Sequence, residues 1–264
     1  MRQIRWVTTS RGGPYGTGMG GRIIQNFKPG SSTAYPLNVM NRLKKVRDLG
    51  LLTGEWLDCG CADGGYTAAL RDLGAEGVVG VDPQMERIVR AREREQTHPS
   101  IRFLCASAES LPFPEASFDG VLLNEVLEHV TDEVQTLREI HRVLRPGGHL
   151  VIMSPNRWFP FEGHGMRLGQ YIIPIPVPLL PWLPSRISQR FMLARNYWPH
   201  ELQDLVRNSD FLICTAGFIW PVFEVFPWLP YAVIRRYRDL VPVLERVPFI
   251  RHFGISIFIV AQKR

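Results

Sequence analysis

The chain has 264 residues, of which 45% are hydrophobic and 21% charged, and its formal net charge is +6. These proportions exclude a disordered, collagen-like or coiled-coil chain, and the length allows one domain with insertions or two small ones. Four cysteines do not make a disulfide scaffold: Cys59 and Cys61 are separated by a single residue, which fits neither a redox pair nor a zinc knuckle, and Cys105 and Cys214 stand alone. Buried, reduced thiols are expected.

The opening stretch MRQIRWVTTSRGG has no apolar run after its charges, which reads against a signal peptide and predicts a cytoplasmic protein. Charge is unevenly spread, with +7 over residues 1–56, −7 over 57–164 and +6 over 165–264. An acidic middle argues against a nucleic-acid groove running across the whole molecule. Residues 1–35, with the glycine-rich run from Arg11 to Arg22, read as a flexible basic arm, and 36–264 as the folded domain. A single RGG-like element without a stacking platform does not make an RNA tail.

A first helix is predicted from Pro36 to Leu49. From Glu55 to Ser154, short β-type runs alternate with helical patterns, the sign of a parallel sheet with crossover helices. Strands are predicted at 56–60, 77–82, 101–105, 118–124 and 149–154, and helices near 65–73, 84–95 and 132–144. The last of these is amphipathic through Val134, Leu137, Ile140, His141 and Leu144 and is stopped by Pro146-Gly147-Gly148. Residues 155–198 are then rich in proline and aromatics, and the spacing of prolines over 172–184 allows no α-helix and no membrane span. A helix at 199–209 and a strand at 211–220 follow. A second apolar insertion, 221–252, reads as hairpin-like and leads into a last strand at 254–262.

Asp58-Cys59-Gly60-Cys61-Ala62-Asp63-Gly64-Gly65 ends the first strand and opens a helix, so its glycines permit a sharp turn and a close backbone approach to a ligand. The run fits G-x-G-x-x-G and G-x-G-x-G almost equally, through Gly60, Ala62 and either Gly65 or Gly64. Asp82 closes the second strand, where a carboxylate accepts both hydroxyls of a ribose. An adenosine-type ligand suits either version.

Downstream stand Ala106-Ser107-Ala108-Glu109-Ser110-Leu111-Pro112-Phe113, then Ser117-Phe118-Asp119, then Asn124-Glu125-Val126-Leu127-Glu128-His129-Val130, then Arg142-Val143-Leu144-Arg145-Pro146-Gly147-Gly148. At these residues the chain resembles the class I S-adenosylmethionine-dependent methyltransferases, specifically the small-molecule, type 11 group that includes the O-methyltransferases of ubiquinone biosynthesis. The resemblance covers about residues 36–154. It implies an α/β fold with a Rossmann-like, seven-stranded, mostly parallel sheet whose last strand is antiparallel, with helices on both faces and inserted cap segments at about 155–198 and 221–252. It further implies S-adenosylmethionine as cofactor, with Asp58, Gly60, Ala62 and Gly64 lining the methionine end, Asp82 holding the ribose, Ser107 and Ala108 bordering the adenine, and Asn124 facing the sulfonium. Two departures, Ala62 for the middle glycine and Ser107 for a frequent aspartate, predict reduced cofactor affinity.

A sulfonium methyl is already activated, so the protein mainly aligns a nucleophile and excludes water. On a helix after strand four, Glu125, Glu128 and His129 would share one face, giving a general base or a hard-cation site. A similar run is associated with a divalent metal in the ubiquinone group; the reading without metal is preferred here. Glu128 and His129 are therefore the candidate catalytic residues. His164, with Glu162, is a further candidate base, and Arg157 a contact for an anionic group. His141 and His200 read as structural. Trp158, Trp182, Trp198, Trp228, Phe159, Phe161, Phe223, Phe226 and Tyr231 in the insertions suggest a self-packed cap, a pocket for a small, glycan or lipid-like acceptor, or a peripheral membrane patch beside Arg235, Arg236 and Arg238. No nucleic acid is expected as partner. The rival readings are a nicotinamide-dependent oxidoreductase, which shares the glycine loop and Asp82, and an inactive cofactor-binding module.

Overall fold

The computed structural model describes residues 37–95, 98–173, 176–222 and 230–264. The expected N-terminal arm and the aromatics Phe223, Phe226 and Trp228 lie outside the described residues. Those described fall into two compact units, a small one over Pro160–Ala194 and a larger one formed by the residues on either side of it.

In the larger unit, helix α1 (Leu37–Asp48) precedes the alternation of β1 (Glu55–Cys59), α2 (Gly65–Asp72), β2 (Gly77–Asp82), α3 (Met85–Arg94), β3 (Ile101–Cys105), β4 (Phe118–Asn124), α4 (Glu133–Val143) and β5 (Leu144–Pro155). In the small unit, β6 (Phe161–Glu162) pairs with β9 (Val177–Pro178), and β7 (Met166–Leu168) pairs with β8 (Tyr171–Ile173). A short 3₁₀ turn and helix α5 (Ser185–Ser188) follow. The proline-rich stretch therefore forms two-stranded ladders and turns rather than an α-helix. Helix α6 (Pro199–Arg207), β10 (Phe211–Ile219), α7 (Tyr231–Leu244) and β11 (Ser256–Lys263) complete the larger unit.

Its seven-stranded sheet has the order β10-β11-β5-β4-β1-β2-β3. Strands β1 to β5 are mutually parallel, and β11 runs antiparallel to both β5 and β10. The alternation of side chains across a strand explains the two-sided core. Trp56 and Leu57, adjacent in β1, belong to opposite faces and are both fully buried. On the Trp56 face pack Val39, Leu43 and Val46 of α1 with Ala69 and Leu70 of α2. On the Leu57 face pack Leu137 and Ile140 of α4 with Leu202 and Val206 of α6. Each such aliphatic side chain contributes about 1.5–3 kcal/mol by leaving water.

Three expectations are corrected. The insertion after residue 221 is not hairpin-like: Ile234 and Val241, one heptad apart, are buried on one side of helix α7, which starts after Pro230 and tolerates Pro242 near its end. The density of prolines around it masked the helical period. Strand β5 starts at Leu144, five residues before the expected 149, because Leu144 pairs with Phe118 ahead of a register shift. Of the four free cysteines, Cys59 and Cys61 are buried, but Cys105 and Cys214 are exposed.

Candidate active site

The carboxyl ends of β1, β2 and β4 adjoin, since β1 lies between the other two. Ligands of open parallel sheets bind at that edge. The loop leaving β1 turns through three left-handed residues, Gly60 (φ 85°), Ala62 (φ 47°) and Gly64 (φ 82°). A Cβ on Gly60 would lie 2.3 Å from Cγ2 of Val126, and one on Gly64 would lie 2.8 Å from Cζ of Phe103, so both positions demand glycine. Ala62 holds the same handedness at a cost of about 1–2 kcal/mol.

The loop amides are directed into the sheet. Gly60 and Cys61 N–H both donate to the Val81 carbonyl, at 2.7 and 2.9 Å, and Gly64 N–H donates to the Cys61 carbonyl. Ala62 N–H donates to Oδ2 of Asp82 at 3.2 Å, while Gln84 N–H donates to Oδ1 at 2.9 Å. The Asp82 carboxylate, buried at the end of β2, thus faces back across the glycine loop, with the Arg87 guanidinium 3.5 Å away. Asp58 is buried behind the loop and accepts a 2.6 Å bond from the Thr67 hydroxyl. Burial pushes its pKa up to about 7 and the nearby Asp82 adds to this, against the pull of Thr67.

After β3, Ala106 N–H bonds the Asp82 carbonyl, bringing Ser107 and the buried Ala108 to the same edge. The Ser107 hydroxyl donates to Glu109 and accepts from its N–H. Glu109 in turn accepts from the N–H groups of Thr131 and Asp132, at 2.7 and 2.8 Å, tying this turn to the start of α4. Arg142 donates to the carbonyls of Leu111 and Phe113, and Glu139 accepts from Leu111 N–H, so α4 clamps the Leu-Pro-Phe segment.

Residues 125–129 form a turn, not the expected helix. Glu125 is left-handed (φ 55°), His129 N–H closes a short turn on the Val126 carbonyl, and α4 begins only after Asp132, whose side chain caps it by accepting from Gln135 N–H. The acidic run nevertheless stays together. His129 Nε2 lies 4.0 Å from Oε1 of Glu128. Glu128 is buried, neither carboxylate oxygen has a hydrogen-bond partner among the described residues, and burial followed by the charge of Glu125 holds its pKa well above the usual carboxylate range.

Sequence reasoning missed what holds this turn. Arg42 of α1 donates to Oδ1 of Asn124 at 2.8 Å and to Oε1 of Glu125 at 2.7 Å, and its second amino group donates to the Ser256 hydroxyl at 2.9 Å. Ser256 closes the network by donating to Glu125 at 2.6 Å. Arg42 comes from a helix outside the motifs and Ser256 from the last strand, so no local pattern joined them. With Oε1 committed to Arg42 and Ser256, Glu125 is already neutralised by a side-chain cation.

Elsewhere, the Arg157 guanidinium sits 5.2 Å over the Trp198 ring, and His141 packs edge-on against Phe211. His200 is exposed in the first turn of α6. In the small unit, His164 Nδ1 lies 2.9 Å from Oε1 of the buried Glu162, which also accepts His164 N–H.

A profile of the methyltransferase domain matches residues 57–152, the segment holding β1 to β5. A ubiquinone biosynthesis O-methyltransferase of Bradyrhizobium sp. (strain ORS 278) is 40% identical over 183 residues, 68% of each chain. The chain belongs to the class I S-adenosylmethionine-dependent methyltransferases. A demethylmenaquinone methyltransferase of Lactococcus lactis is 38% identical to this methyltransferase over 118 residues, 43% of this chain and 47% of that one. A crystal structure of an S-adenosylmethionine-dependent methyltransferase from Mesorhizobium loti superposes with a TM-score of 0.56 at 19% identity, covering 84% of this chain and 98% of that one. The methyltransferase therefore has the expected Rossmann-like fold and uses S-adenosylmethionine as methyl donor on a small molecule, which decides against the nicotinamide reading. Among its described residues no helix is long and apolar enough to cross a membrane.

Proposed function

We propose that the protein transfers a methyl group to an oxygen of a small, lipid-like acceptor, with Glu128 and His129 as the proton-accepting groups. The observation that carries this is the buried Glu128 carboxylate, whose oxygens have no hydrogen-bond partner among the described residues, just beyond the carboxyl end of β4 and 4.0 Å from an imidazole nitrogen. A polar group buried in that way costs folding free energy and is kept where it serves chemistry.

The cofactor, when bound, supplies a methyl group already activated on sulfur. Asp82, which now accepts from the Ala62 and Gln84 amides, would hold the ribose hydroxyls. Asp58, Gly60, Ala62 and Gly64 would line the amino-acid end, Ser107 and Ala108 would border the adenine, and Asn124, fixed by Arg42, would stand on the sulfonium side. A buried carboxylate whose pKa is raised by desolvation is a better base for an acceptor hydroxyl than an ordinary glutamate. Glu125, although paired with Arg42, lies close enough to Glu128 to add to the upward shift that burial imposes.

The relatives named for ubiquinone and demethylmenaquinone support an acceptor of the quinone type, a polar ring on an apolar chain. His164, its tautomer set by donation from Nδ1 to Glu162, is the second candidate base. Glu128→Gln and His129→Ala should each lower kcat by about 10²–10⁴ while leaving cofactor affinity unchanged. Full turnover in both variants, with loss in His164→Ala, would transfer the role to His164.

A further inference from the structure

Helix α7 and the turn after it carry an outward face that the methyl-transfer reading does not use. Val233, Leu240 and Val243 are 47%, 54% and 53% exposed and, with Arg236, lie on one side of the helix at spacings of three, seven and ten residues. Phe249, in the turn beyond the helix, is 69% exposed. The side turned to the rest of the unit is fixed. Ile234 and Val241 are buried, the Tyr237 hydroxyl donates to the Pro221 carbonyl, and Glu245 pairs with Lys45 of α1 and accepts Trp220 N–H.

Exposed arginines stand at 235, 236, 246 and 251, on the helix and in the turn after it. None of the four has a side-chain ion pair among the described residues. Arg238, grouped with them on sequence, instead turns onto the Tyr231 ring, 5.4 Å from its centroid. Of the two acids between 231 and 251, Glu245 is spent on Lys45, leaving Asp239 against five arginines.

The mixture selects the partner. A second copy meeting this face through a twofold axis would set arginines against arginines. A single-stranded nucleic acid wants aromatic platforms between its cations, whereas the side chains here are mainly aliphatic. An anionic bilayer supplies both dispersed negative charge and an apolar phase for the stripe. We infer that α7 and the turn through Arg251 dock the protein on the surface of an anionic lipid bilayer, by a helix lying in the interface rather than crossing it.

The test is flotation of the full chain with vesicles of phosphatidylglycerol and phosphatidylcholine in equal parts, beside vesicles of phosphatidylcholine alone. The protein should float with the mixed vesicles at low salt and be released by high salt. Each arginine neutralised should lower partitioning about fivefold, so the double variant Arg235→Gln/Arg236→Gln should bind about 25-fold more weakly. Leu240→Ser/Phe249→Ser should also bind more weakly with the charge unchanged. Failure to float on the anionic vesicles, or equal flotation of the arginine variant, would overturn the docking surface. Cofactor titration on the same samples separates the two readings: wild-type protein that floats but binds no S-adenosylmethionine supports the docking surface and contradicts the methyl-transfer reading.

Discussion

Arg42 shows how one side chain can set the chemistry of others. Its guanidinium reaches Asn124, Glu125 and Ser256 with side-chain exposures of 11% for Arg42 and 27% for Glu125, so removing it strands a half-buried carboxylate and two polar groups. Arg42→Met should cost about 2–4 kcal/mol, measured by urea denaturation, and Arg42→Met/Glu125→Gln should recover part of that loss because no unpaired charge remains. Asp58 makes a pH prediction. Its folded pKa of about 7 lies above the unfolded value near 3.9, so the folded state holds the extra proton between them. Its contribution to stability is full below about pH 4 and is lost as pH rises through about 7. In the absence of cofactor, Asp58→Asn should flatten the fall in stability between those limits by up to one proton. An unchanged slope would show that this carboxyl is ionised in the fold.

At the scale of elements, most of the architecture was legible because the strands of the sheet are short apolar runs ending in small or polar residues, and the helices between them keep a 3.6-residue period. What escaped was non-local. The left-handed Glu125 is held by the Met153 carbonyl and by Arg42, neither of which a helical spacing rule sees, so i, i+3 and i+4 did not make a helix. Helix α7 was hidden because prolines at 230, 242 and 248 surround and interrupt the burial period of Ile234 and Val241. Sheet packing itself is testable at Gly120, which pairs with Trp56; a Cβ there would come within 2.4 Å of the indole. Gly120→Ala should destabilise by about 1–3 kcal/mol or more, read from the thermal midpoint. Trp56→Leu in the same chain should relieve part of it.

Across the whole molecule, the acidic stretch and the basic ones divide the work. The acidic middle holds β1 to β5 and the candidate cofactor and base residues, while part of the final basic third forms α7 and the arginines beyond it. The strand-turn-helix geometry around Asp58, Gly60 and Asp82 was readable because glycines after a strand and a carboxylate closing the next one form a local pattern. The acceptor was not, since the proline-rich and aromatic segments after β5 follow no repeating pattern. The central claim is that the Asp82 carboxylate grips the cofactor ribose, and calorimetric titration of S-adenosylmethionine into the wild type and Asp82→Asn tests it directly. Saturable binding in the micromolar range, weakened by about 1.5–3 kcal/mol in the variant, is the predicted result. No heat at millimolar cofactor, or equal affinity in Asp82→Asn, would contradict it.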